Sequence, residues 1–230
     1  MKSEVSGNAD LLSLFLSSPD IFTDDDIIDE LVDFLLAGTQ TTTYAILTML
    51  SHLAKSKESM QAIRAEFNKA SGASSTEGGG AETTDQKFAR LMSSATLEAI
   101  QDQEYLSWVL NETLRHQTSI RQNTGVRCDH NMKIGSYNIR ANDSVMINFH
   151  SLHHNPLQWQ RPNEFLPKRF DPSSPLYLTP SGFKRHAYSF VPFNGGSRVC
   201  FGKTFAESTL KMIAIYTSQL FDLEILGAKY

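Results

Sequence analysis

Cys200 is the residue of this 230-residue chain best placed to do chemistry. It stands in Phe193-Asn-Gly-Gly-Ser-Arg-Val-Cys200-Phe-Gly202, just ahead of an apolar stretch with helical spacing. A thiolate at the start of a helix is stabilised by the helix dipole and by free backbone N–H groups. Gly196 and Gly202 let the backbone pass close to a flat ligand. Arg198 can pair with a carboxylate, and Phe193 can roof the sulfur and keep water away. On pattern alone the thiol could serve as a nucleophile, a redox group or a metal ligand. A metal site built from side chains would want further Cys or His at ligand spacing, and Cys128-x-His130 is a weak candidate for zinc. With two cysteines in all, a Cys128–Cys200 disulfide is the minor alternative to two reduced thiols.

Three other constellations precede or flank the loop. Glu112-Thr-Leu-Arg115 puts a carboxylate and a guanidinium three residues apart, on one face of a helix. By itself that spacing most often means an exposed salt bridge. Pro167-Lys-Arg169-Phe170-Asp-Pro172 offers a second arginine in a turn-rich setting. Ala37-Gly38-Thr39-Gln40-Thr41-Thr42 places a glycine inside a long apolar helix, where it costs about 1 kcal/mol relative to alanine and so asks for a reason. Close packing and hydroxyl back-bonding in a Thr-rich helix is the plain explanation.

The elements that must hold these residues can be read from periodicity. A helix is expected over 23–54, started by Thr23 and the acids Asp24, Asp25 and Asp26, and apolar on most sides as a central helix would be. Leu11–Leu16 reads as a short helix end, and 55–70 as an amphipathic helix with Met60, Ile63 and Phe67 on one face. Residues 71–85 are low in complexity and poor in large apolar side chains, so they read as a surface loop. Weak helical character over 86–100 is followed by a clear helix over 105–116, striped by Leu106, Val109, Leu110 and Leu114. Short strands are expected at 132–139 and 145–149, an irregular meander over 152–180, the cysteine loop at 193–202, a final helix over 201–220 and a strand over 221–226. The fold class is therefore mainly α with small β-sheet elements.

The cysteine loop resembles the haem-binding signature of the cytochrome P-450 superfamily, matching its fixed positions Phe193, Gly196, Arg198, Cys200 and Gly202. At about one in twenty per position, a chance match anywhere in the chain is on the order of 10⁻⁴. Ser197 stands where the family often has proline. The order of the other motifs also follows the family: oxygen helix, Glu-x-x-Arg helix, aromatic–Arg meander, cysteine loop. The resemblance implies the C-terminal part of the cytochrome P-450 fold over 1–230, with haem b held by Cys200 as axial thiolate. It implies a buried structural trio of Glu112, Arg115 and Arg169. It aligns Gly38 with a point where the helix opens to form an oxygen pocket, and Thr41 with the threonine that handles oxygen and relays protons. Gln40 replaces the usual acid and cannot titrate. A propionate-binding arginine is expected at Arg121 or Arg127.

The implied activity is a monooxygenase that inserts one oxygen atom into an apolar organic substrate, with electrons from an NADPH-dependent reductase or another donor. A haem-thiolate isomerase or dehydratase working without O₂ is the alternative that Gln40 leaves open, and an inactive truncated fragment is a third. The net charge of −4 speaks against nucleic acid as a partner. The polar opening of the chain resembles no signal peptide, and Asp33, Gln40 and the Thr cluster interrupt the longest apolar run. An intracellular protein is expected, at the endoplasmic reticulum membrane if a longer form carries an N-terminal anchor. The family's upstream helices and final β-hairpin are not seen in this sequence.

Overall fold

A computed structural model describes residues 10–72 and 83–226. Helix α1 (Leu11–Leu16) is capped by Asp10, whose carboxylate accepts from Ser13 N at 2.8 Å. Helix α2 (Asp24–Ala54) begins where the sequence places a cap. Thr23 Oγ1 accepts from Asp26 N at 3.2 Å and Asp26 Oδ2 accepts from Thr23 N at 2.9 Å, so two donors at the helix start are satisfied reciprocally. The described residues divide into two compact units, one ending at Thr41 and the other beginning at Thr42. In the first, Phe15 meets Phe22 edge-on at 4.9 Å between ring centroids.

Helix α2 is apolar on most sides, as expected of a central helix, but those sides are not all buried. Ile28, Val32, Leu35 and Leu36 are exposed, whereas Ala45, Met49 and Leu53 are buried. Apolar periodicity records which faces can be covered, and burial also needs a neighbour to cover them. No described helix is long and apolar enough to cross a membrane.

In the second unit, helix α3 (Lys57–Ala70) starts at the Ser56 cap and buries Met60, Ile63 and Phe67. Residues 73–82 of the low-complexity stretch lie outside the described residues, and its last part is helical: α4 (Thr84–Ser94) opens on a capping box made by Thr83 and Gln86. The stretch 86–100 is split between α4 and a short α5 (Leu97–Gln101) that Thr96 caps. Helix α6 (Glu104–His116) packs Leu106, Val109, Leu110 and Leu114 against Leu210, Ala214 and Ile215 of α8 (Lys203–Leu220) and against the buried residues of α3. This cluster is the core on which the Glu-x-x-Arg helix and the helix after the cysteine loop both rest.

The β structure is small. Strands β2 (Met132–Ile134) and β3 (Tyr137–Ile139) form an antiparallel hairpin, and β1 (Val126–Arg127) pairs with β4 (Ser144–Val145). Two sequence expectations fail here. The run 145–149 does not continue as a strand, because the Asn148 side chain accepts from Ser151 N at 2.9 Å and starts helix α7 (Phe149–His153). Residues 221–226 alternate but form no strand, since no described strand pairs with them to complete a ladder. Beyond α7 the chain turns through 3₁₀ segments at Pro167–Phe170, Pro175–Tyr177, Ala187–Ser189 and Gly196–Arg198.

Leu106 is fully buried on α6. Leu106→Ala is expected to cost about 2–5 kcal/mol through lost transfer energy and a residual cavity. A urea-denaturation midpoint that does not move would show that α6 is not seated on this core.

Candidate functional site

Glu112 is fully buried, and so are Arg115 and Arg169. Helical spacing brings the first two together: Arg115 Nε donates to Glu112 Oε2 at 2.7 Å and Arg115 Nη2 to Oε1 at 2.8 Å. The 3₁₀ turn Pro167–Phe170 delivers the third member, with Arg169 Nε donating to Glu112 Oε1 at 3.0 Å. Leu166 N adds a fourth bond to that carboxylate at 2.8 Å.

The guanidinium protons not used on Glu112 go to backbone carbonyls. Arg115 Nη1 donates to His153 O at 2.9 Å and Pro162 O at 2.8 Å, and Arg115 Nη2 to Glu164 O at 3.1 Å. Arg169 Nη1 donates to Gln160 O, and Arg169 Nη2 to Arg161 O and to Glu164 O. One carboxylate and two arginines thus fix the irregular segment 160–169 to α6, a geometry that neutral hydrogen bonds would hold less firmly. Burial pushes Arg169 below the ordinary arginine value, and Glu112 opposes that shift.

Two participants had no signal in the sequence. Arg185 stacks on Trp159 at 4.4 Å and donates to Leu176 O at 2.9 Å and to Arg169 O at 2.7 Å. Burial pushes Arg185 down to about 10, which still leaves it charged at neutral pH. His153 is fully buried, and its Nε2 accepts from Val191 N at 3.0 Å. Acceptor and donor lie 38 residues apart and one of them is backbone, so no residue pattern could announce the pair.

Val191 leads into the cysteine loop. Asn194 N donates to Val191 O at 3.1 Å, and Asn194 has a positive φ of 64°. Gly196 follows with φ 67°, a left-handed conformation that glycine adopts without strain. The loop closes where Cys200 N donates to Phe193 O at 2.8 Å, while Asn194 Nδ2 donates to Arg198 O at 3.2 Å. Phe193 is half-buried and packs on the core, and Arg198 and Cys200 are exposed. Helix α8 begins at Lys203 with Gly202 as its cap residue, so the thiol sits in the turn just before the helix. Both cysteines are free thiols, so no Cys128–Cys200 bridge forms. His130 pairs with Asp129, and no His, Cys, Asp or Glu group among the described residues could hold a metal by itself.

The donor set suits haem. A single soft thiolate cannot complete a zinc site, but it suffices for an iron whose other ligands come from its own macrocycle. Val199, Phe201 and Phe205, close to Cys200 in the chain, are more than half exposed, so an apolar cover would gain by burying them. Gly196 leaves open space where a Cβ would stand.

The remaining predicted residues lie elsewhere. Gly38, Gln40 and Thr41 are on α2, in the unit that ends at Thr41. The opening expected there is absent: α2 runs unbroken, and Thr41 Oγ1 donates to Ala37 O at 2.7 Å, as Thr39 Oγ1 does to Leu35 O at 2.6 Å. These back-bonds occupy the hydroxyls within the helix. A Cβ on Gly38 would meet nothing within 4 Å among the described residues, so packing does not require glycine there. Arg127 lies exposed in β1, while Arg121 lines a polar cavity of about 290 Å³ with His116, His150 and His154.

The family model for cytochrome P450 matches residues 2–229. The probable cytochrome P450 6a18 of Drosophila melanogaster is 32% identical over 187 residues, 80% of this chain and 32% of that protein. Steroid 17-alpha-hydroxylase/17,20 lyase of Cavia porcellus is 27% identical over 230 residues, 98% of this chain and 40% of that protein. Cytochrome P450 4A10 of Mus musculus is 46% identical over 79 residues, 34% of this chain and 14% of that protein. The chain spans about a third to two fifths of the length of the first two.

Two outcomes are expected. Arg169→Met leaves Glu112 with one guanidinium and strands several buried carbonyls, so it should cost about 3–5 kcal/mol in urea unfolding; a loss below ~1 kcal/mol would mean that the trio is solvated in solution. Stability should also fall on acidification. Burial, reinforced by Arg115, holds His153 at about 4 against an ordinary 6.5, and burial with His116 does the same to His52. Between those values the unfolded chain binds protons that the folded one refuses. Stability is therefore full above about pH 6.5 and declines toward pH 4, with at most about 3 kcal/mol from His153. A melting temperature flat across that window would contradict the assignment.

Proposed function

The chain belongs to the cytochrome P450 family, and on that premise we propose that it is the haem-binding portion of a monooxygenase that inserts one atom of O₂ into an apolar organic substrate. The observation that carries the reading is Cys200: a free, exposed thiol on a tightly turned loop, joined through His153 to a buried ionic cluster. A metal-binding thiolate needs that combination of access and fixed position.

Cys200 Sγ would hold the iron of haem b. Arg198 is an exposed cation available to a propionate, and Arg121 or Arg127 supplies another. Phe193 shields the sulfur side of the loop from water. When bound, haem supplies the oxygen-activating redox chemistry, and an anionic thiolate ligand favours O–O cleavage. Thr41 Oγ1 carries an exchangeable proton, and releasing its bond to Ala37 O frees that hydroxyl for proton relay. Gln40 beside it can orient water but cannot donate a proton of its own. Electrons come from an NADPH-dependent reductase or an equivalent donor. A longer form with an N-terminal anchor would work at the endoplasmic reticulum membrane.

Gln40 also favours a second reading, a haem-thiolate isomerase or dehydratase that rearranges peroxides without O₂. Turnover of a peroxide substrate with no reductase separates the two, and failure of the chain to take up haem would support an inactive fragment.

The deciding measurement is the absorption spectrum of the reduced, CO-bound protein after supply of haem. A red-shifted Soret band is expected for the wild-type chain and its loss for Cys200→Ser. A band that survives the substitution would remove Cys200 as the ligand.

A further inference from the structure

A short path of bonds joins the buried charge cluster to the thiol. Arg115 Nη1 grips the backbone oxygen of His153 at 2.9 Å. The imidazole of the same residue accepts from Val191 N at 3.0 Å. Val191 O then accepts from Asn194 N at 3.1 Å, and Phe193 O accepts from Cys200 N at 2.8 Å. His153 is therefore clamped at its main chain by the charge cluster and holds, through its ring, the strand of chain that enters the cysteine loop.

From this geometry we infer that His153 is a positioning residue for Cys200: its neutral imidazole, acting through the Val191 amide, sets where the thiol stands. The role needs an acceptor at Nε2 and a side chain that cannot move. Both are met, since the residue is fully buried and its ring packs 5.4 Å from that of Phe190. Because Val191 donates, Nε2 must be unprotonated. Burial comes first in disfavouring a positive charge on the ring, and Arg115 on α6 and the titratable His154 and His150, beside and on its own helix α7, act in the same direction. Protonating the ring would put two donors face to face and release Val191, so acid should loosen the loop without touching Cys200.

The inference rests on Cys200 as the ligand only for its purpose, and its test does not need haem. Cys128→Ser leaves Cys200 as the sole thiol of the full chain. In that background, the rate of alkylation of Cys200 by an uncharged reagent at neutral pH is compared for His153, His153→Gln and His153→Leu. Gln can present an oxygen near the place of Nε2, so its rate should stay within twofold. Leu leaves the Val191 amide without an acceptor and should change the rate at least threefold. In a titration from pH 7 to pH 4, the backbone amide signals of Val191 and Cys200 should move together with one midpoint, and that shared movement should vanish in His153→Gln. An unchanged alkylation rate in His153→Leu, or a Cys200 amide that ignores the His153 titration, would overturn the inference. If His153→Leu does not fold, the amide comparison between wild type and His153→Gln decides alone. Loss of the red-shifted band with these results intact would refute the haem reading and leave the positioning role standing.

Discussion

A carboxylate taken out of water must find its charge balance and its hydrogen bonds inside the protein, and Glu112 finds both in Arg115, Arg169 and the Leu166 amide. Most other features of the larger unit follow from satisfying that group. The two guanidiniums carry more donors than Glu112 can accept, and the surplus pins the carbonyls of His153, Gln160, Arg161, Pro162 and Glu164. A segment with hardly any regular secondary structure thereby gains a unique conformation. Replacement of the trio by apolar residues would leave those carbonyls without partners, which is a physical reason for ions rather than leucines at this place.

The cysteine loop draws its order from the same source by a different route. Phe193 is its apolar anchor on the core, and its turns use Asn194 and Gly196 in left-handed conformations. What ties it down is a small number of directional bonds, with the Val191 amide on the buried imidazole among them. The thiol is consequently exposed while its backbone is constrained. Val199, Phe201 and Phe205, close to it in the chain, keep apolar surface in water, a cost that an apolar ligand covering them would relieve.

Helix α2 behaves differently along its length. Its end, with Ala45, Met49 and Leu53, belongs to the common core, whereas Leu35 and Leu36 are exposed. Gly38, Gln40 and Thr41 therefore occupy an ordinary helix whose hydroxyls bond back to the preceding turn. The chemistry proposed for Thr41 depends on breaking such a bond.

Read alone, the sequence determined the mainly helical class, the core faces of α3 and α6, the cap at Thr23, the pairing of Glu112 with Arg115 and the presence of a loop built to expose a thiol. Each of these depends on residues close together in the chain, or on one motif whose spacing encodes a shape. It overextended the strand toward Phe149 and predicted one at 221–226, because alternation cannot report whether a partner strand lies alongside. The family resemblance also implied the trio with Arg169, which reaches Glu112 across 57 residues; only the tertiary structure decided that Arg185 braces the cluster from behind Trp159 and that His153 holds Val191. Those contacts join backbone groups and side chains remote in sequence, and a backbone acceptor leaves no trace in residue identity. The position of Cys200 could be read as a motif; what holds it in place could not.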